Sequence, residues 1–149
     1  MVAGMKTTGA TLYCTTCCKE KQHHEYPMPA IRRYLSERIR CIHRKSRTDG
    51  VKFRILSGKY GLLPPYRKIP FYDHALLPEE VSRISETLQQ QLSRLKVVKV
   101  VLFAKNSQKY PDWEPYCQSL YLSCTALGIN FTLAEITDAG HLLQNNNIE

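Results

Sequence analysis

The chain has 149 residues, 43% hydrophobic content and a formal charge of +8. That suffices for one domain with a buried core and is too short for two, and the longest apolar run, Val97 to Ala104 with Lys99 inside it, falls far short of the roughly 20 residues of a membrane-spanning helix. Met1 to Ala10 holds no apolar stretch of signal-peptide length, so the expectation is a cytoplasmic protein with no membrane partner, whose six cysteines are free thiols.

Thr11 to Thr16 is rich in β-favouring residues and reads as a first strand ending at Cys17-Cys18-Lys19. After a polar loop, Pro29 suits the first turn of a helix. Ile31, Tyr34, Leu35, Ile39 and Ile42 then recur at helical spacing, with Arg32, Arg33, Arg40 and Arg44 off the apolar stripe. Ser46 to Gly50 breaks that helix and hands over to a strand from Val51 to Leu56. Leu62 to Leu77 holds Pro64, Pro65 and Pro70 without a clear period, and is expected as a long ordered loop carrying Tyr66, Tyr72, Asp73 and His74. Pro78 opens a helix with Val81, Ile84, Leu88, Leu92 and Leu95 on one stripe. Val97 to Ala104 reads as a strand covered on both faces. Asp112 stands ahead of a helix ended by Gly128, and Ile129 to Ile136 supplies a fourth strand.

Strand and helix therefore alternate, which predicts a single α/β domain: a three-layer, mostly parallel four-stranded open sheet with helices on both faces. Residues 1–9 and 140–149 are expected to be flexible ends. In such a sheet, ligands bind beyond the carboxyl ends of the strands. The turns after the strands then gather Cys17, Cys18 and Lys19, Ser57 to Gly61, Lys105 and Asn106, and Glu135 and Asp138 along one rim.

Charge supplies the partner expectation. Between Tyr26 and Lys68 stand twelve lysines and arginines against two acids, Glu37 and Asp49. Such a patch attracts polyanions and binds nucleic acid through counterion release, whereas the alternative is a solvated, solubilising face. Arg32, Arg33 and Arg40 are its expected phosphate contacts.

The run Leu56-Ser57-Gly58-Lys59-Tyr60-Gly61-Leu62 ends an apolar strand in a glycine-flanked turn. Gly58 and Gly61 permit close approach of a ligand, Lys59 offers a cation with Lys19 and Lys21 nearby, and Tyr60 and Tyr72 offer aromatic faces for a base. Packing against the core is the alternative for both tyrosines. No Walker-type phosphate loop is present. Cys14-x-x-Cys17-Cys18 with His23 and His24 lacks the second ligand pair of a zinc site, so neither a metal nor a cofactor is expected. For catalysis the candidates are Cys17 as nucleophile, Asp73 as general acid or base and Ser57 as an orienting hydroxyl, each with a structural alternative.

Taken together, Cys17, Lys19 and Lys21, the Leu56–Leu62 motif and Tyr72-Asp73 resemble a small uncharacterised bacterial domain family. In that family a strand ends in Ser-Cys-x-Lys-x-Lys, followed by Leu-Ser-Ala-Lys-Tyr-Gly-Leu and Pro-Tyr-Asp. The core motif is also similar to YaaA-type peroxide-stress proteins, which are associated with DNA. Here Cys18 stands between the cysteine and the lysine, Gly58 replaces alanine and Phe71 replaces proline. The resemblance implies a site at the strand ends and tilts the choice toward nucleic acid; with the lysines beside the glycine turn, the expectation is a nucleic-acid- or nucleotide-associated domain with a basic phosphate-binding pocket at the carboxyl ends of the strands. Two other readings stay open: an enzyme acting on a nucleotide or nucleobase, and a protein-interaction domain.

Overall fold

The computed structural model describes residues 10–143; the expected flexible segments 1–9 and 144–149 lie outside the described residues. The strands are β1 (Thr11–Thr16), β2 (Met28–Pro29), β3 (Lys52–Ser57), β4 (Gly61–Leu63), β5 (Lys68–Ile69), β6 (Lys99–Ala104) and β7 (Asn130–Glu135). The helices are α1 (Ala30–Arg33), α2 (Glu37–Asp49), α3 (Val81–Leu95) and α4 (Glu114–Leu127). Among the described residues no helix is long and apolar enough to cross a membrane.

One sheet runs β4-β3-β1-β6-β7. Strands β3, β1, β6 and β7 are parallel, with Thr16 opposite Leu56 and Thr15 opposite Phe103. The fold is thus α/β with a mostly parallel sheet, but of five strands rather than four. The added strand is β4, which turns back antiparallel on β3 with Ser57 opposite Gly61. Gly61 makes the reversal possible: its φ is +73°, a region costly to any residue with a Cβ. The expected long loop is therefore cut by β4 and by β5, which pairs with β2 in a separate two-stranded ribbon.

Alternation along the strands builds two cores. Leu12, Cys14, Val100 and Leu102 point to one face, where Ile84, Leu88 and Leu92 of α3 and Leu120 and Cys124 of α4 cover them. Tyr13, Phe53, Ile55 and Phe103 point to the other, against Ile39 and Ile42 of α2. Each fully buried isoleucine or leucine contributes about 1.5–3 kcal/mol.

The helix expected from Pro29 onward is broken. It stops at Arg33, Tyr34 is extended, and α2 restarts after Ser36, whose Oγ accepts from the Ile39 N–H at 3.3 Å. The break lets Tyr34 drop into the core with 0% exposure and brings the first turn of α2 to the end of β1. Residues 140–143, expected to fray, are held instead. Ile136 bridges Leu142, the Leu143 N–H donates to the Glu135 carbonyl at 3.0 Å, and Gly140 packs on Cys41 and Arg38 of α2.

Candidate functional site

The chain leaves β1 for β3 on one side and reaches β6 only after crossing to the other side. This reversal of strand order opens a crevice beyond the carboxyl end of β1, the usual ligand position in open α/β sheets. A cavity of about 690 Å³ lies there, within the size range of small-molecule sites. Its lining comes from the turn after β1 (Cys17, Cys18, Lys19, Lys21), from Arg38 of α2, from residues 73–78, and from residues 111–113 with Pro115 and Tyr116.

Two cations set the field in its interior. Arg38 is 7% exposed and donates from Nη1 to Thr15 Oγ1 at 2.7 Å and to the Thr16 carbonyl at 2.8 Å. Its guanidinium lies 4.8 Å from the centre of the Trp113 ring, and burial pulls its pKa down. Lys21 is 6% exposed; its Nζ sits 4.8 Å from the Tyr72 ring and 3.4 Å from the Lys19 carbonyl. Neither cation forms an ion pair with a carboxylate among the described residues. The carboxylates of the lining, Asp73 and Asp112, belong to exposed residues, so solvent screens them far more than the buried cations.

Behind the cations is a hydroxyl cluster. Tyr72 hydrogen-bonds Tyr34 and also Ser57 Oγ, the latter at 2.9 Å. Cys17 Sγ lies 3.7 Å from the Tyr116 hydroxyl, which accepts the Leu76 N–H at 3.0 Å. Burial pushes the hydroxyls of Tyr34, Tyr72 and Tyr116 well up, and Cys17 beside them adds to the effect. All three stay protonated near neutral pH and are available only as neutral donors and acceptors. Burial also lifts the Cys18 thiol to about 11, so it is not a thiolate at neutral pH.

Of the sequence candidates, Cys17, Lys19, Lys21 and Asp73 line the cavity. Ser57 does not. It is fully buried, and its Oγ accepts the Lys59 and Tyr60 N–H groups, both at 3.1 Å, so this hydroxyl shapes the turn. Gly58 serves the protein's own packing: a Cβ there would lie 3.0 Å from the Leu76 N and 3.1 Å from the Tyr116 hydroxyl. Gly61 is pressed against Gln91. Tyr72 is buried with its ring edge-on to Tyr60 and Tyr34, which takes it out of use as a stacking face. Lys59 is exposed outside the cavity, with Nζ 5.5 Å from the Tyr60 ring.

The basic patch also divides. Arg33 is fully buried and donates to the carbonyls of Gln22, His24, Tyr26 and Ile69. It clamps the polar loop and has no face left for phosphate. Arg32 is exposed and Arg40 half-buried on the surface. Sequence reasoning overlooked Arg38, Trp113 and Tyr116 as site residues. The available signal was the serine at position 36, a helix-capping residue that places Arg38 in a first helical turn beside the strand end. Among the described residues no three Cys, His, Asp or Glu side chains converge as a metal-binding group.

Comparison with protein-family models, with curated proteins and with solved structures gives no match for this chain.

Proposed function

We propose that this is a nucleotide-associated α/β domain that holds a phosphate-bearing ligand in the cavity beyond β1. The observation that carries the reading is the pair Arg38 and Lys21, both more than nine-tenths buried, both lining the cavity and neither in ion-pair contact with a carboxylate among the described residues; Asp138, which pairs with Lys105, acts on Arg38 only at longer range. A buried cation is costly unless acceptors or an anion satisfy it, and where Arg33 has four carbonyls, Arg38 has Thr15 Oγ1 and the Thr16 carbonyl and Lys21 the Lys19 carbonyl. Arginine offers a fork that fits phosphate, and lysine adds a second charge. Trp113, Leu76, Pro78, Pro111 and Pro115 supply the apolar wall against which a base can lie. The similarity of the Leu56–Leu62 motif to the DNA-associated YaaA-type proteins points the same way.

A second reading, an enzyme acting on a nucleotide or nucleobase, is favoured by one specific feature: the Cys17 thiol and the Asp73 carboxylate line the same cavity as the cations. Ser57 has no part in it.

The test is a melting-temperature and calorimetric titration with nucleoside mono-, di- and triphosphates. A ligand at about a hundred times its Kd stabilises the fold by about 2.7 kcal/mol. Lys21→Met and Arg38→Met are expected to lose that stabilisation, with at least a tenfold loss of affinity. Absence of any shift with all phosphates, or unchanged affinity in a folded Lys21→Met protein, overturns the reading. Turnover that disappears in Cys17→Ser or Asp73→Asn while binding persists selects the enzyme.

A further inference from the structure

Helix α2 has a second charged side. Arg40, His43, Arg44 and Arg47 follow one another at intervals of three and four, so they form one stripe. Arg38, which lines the cavity, is about half a turn away from Arg40. Stripe and cavity therefore lie on opposite sides of the helix.

At the middle of this stripe stands an exposed aromatic platform. The Arg67 N–H donates to the Pro64 carbonyl at 3.2 Å, closing a turn with Pro65 at its second position and Tyr66 at its third. Pro65 is buried, whereas Tyr66 is 62% exposed. The Tyr66 ring stands 5.5 Å from that of His43, and the Tyr66 hydroxyl is 3.4 Å from His43 Nε2. The His43 ring is backed in turn by Phe53, 5.1 Å away in the core. Exposed Arg67 and Lys68 follow directly in the chain.

A solvated face needs cations but no tyrosine held out in their midst. The acids nearby do little to neutralise them. Glu37 pairs with Arg44 at 3.1 Å, but both side chains are more than 60% exposed, where such pairs are weak. Asp49 pairs with Lys45, which is off the stripe. Cations spaced along a helix with a fixed aromatic between them match an unpaired strand, whose phosphates and base faces are both accessible. A duplex hides its base faces, and an anionic lipid surface, though it attracts cations, offers no flat ring for Tyr66 to stack on.

We propose that the outer side of α2 together with the Tyr66 turn docks single-stranded nucleic acid, with phosphates on Arg40, Arg44, Arg47 and Arg67 and one base stacked on Tyr66.

The experiment is an anisotropy titration of a labelled oligodeoxythymidylate of about twelve nucleotides over a salt series. The controls are a duplex of equal length and phosphatidylserine vesicles. Tyr66→Ala is expected to weaken single-strand binding roughly tenfold and Tyr66→Phe to preserve it. Tyr66→Ala should leave duplex binding and the nucleotide-induced melting shift of the cavity unchanged, which separates this surface from the first. Arg44→Glu with Arg47→Glu should lower the salt slope by about 1.4, two phosphates at about 0.7 each. The proposal is overturned if the wild-type protein does not bind at low salt, if Tyr66→Ala binds as well as wild type, or if duplex or vesicles bind as tightly as the single strand.

Discussion

Tyr13 donates its hydroxyl hydrogen to Asp49 Oδ2 at 2.6 Å, tying the central strand to the last turn of α2. The bond holds the Asp49 carboxyl below its usual range, with Lys45 assisting, while burial first and Asp49 second lift the Tyr13 hydroxyl to about 12. Asp49 takes up its proton less readily folded than unfolded. Its stabilising effect is therefore whole above the ordinary carboxylate pKa of 3.8 and is lost as pH falls below that value. Tyr13 behaves oppositely: its contribution is whole below the ordinary value of 10.0 and disappears as pH rises toward 12. Tyr13→Phe should cost about 1 kcal/mol at pH 7 and flatten both edges of the stability profile, as urea unfolding at a series of pH values will measure. At this scale Cys17, Cys18 and Lys19 were legible at the strand-end rim because they follow a strand, whereas Ser57 to Gly61, Lys105, Asn106, Glu135 and Asp138, expected on the same rim, are absent from the cavity lining. The role of Arg33 was not legible, since an arginine used as a clamp has the same letter as one facing solvent. Only the carbonyls it meets decide which it is.

The hairpin of β3 and β4 is the element on which the second core depends for Leu63 and the first for Leu62. Gln91 of α3 fastens it, donating to the Tyr60 carbonyl at 3.0 Å and accepting the Leu62 N–H at 2.7 Å. A Cβ at Gly61 would come within 2.5 Å of Gln91 Oε1, in a backbone conformation already unfavourable for it. Gly61→Ala should therefore destabilise by about 2–4 kcal/mol, summing left-handed strain and two lost hydrogen bonds. In denaturant unfolding, Gly61→Ala with Gln91→Ala is expected to cost less than the two changes separately, because both act on one contact. The parallel strands were visible beforehand as apolar runs with sharp ends. β4 was not, because three residues carry no period, and the break before α2 was hidden because Tyr34 and Leu35 keep the helical spacing of apolar residues across it.

Burial is uneven across the whole molecule. β1 is flanked on both edges and buried on both faces, whereas β7 is an edge strand with exposed residues along most of its length, Leu133 at 47% among them. Local opening follows such differences. Amide hydrogen exchange should be slowest in β1 and its neighbours β3 and β6, and at least a hundredfold faster on the outward edge of β7; uniform protection across the sheet would contradict this. The cavity likewise belongs to no single stretch. Its cations come from residues 19–38, and its apolar side from Leu76, Pro78, Pro111, Trp113 and Pro115. Domains fold as units, and Trp113 stands in the last third of the chain, so Lys21 and Arg38 have no facing wall until nearly the whole sequence has been made.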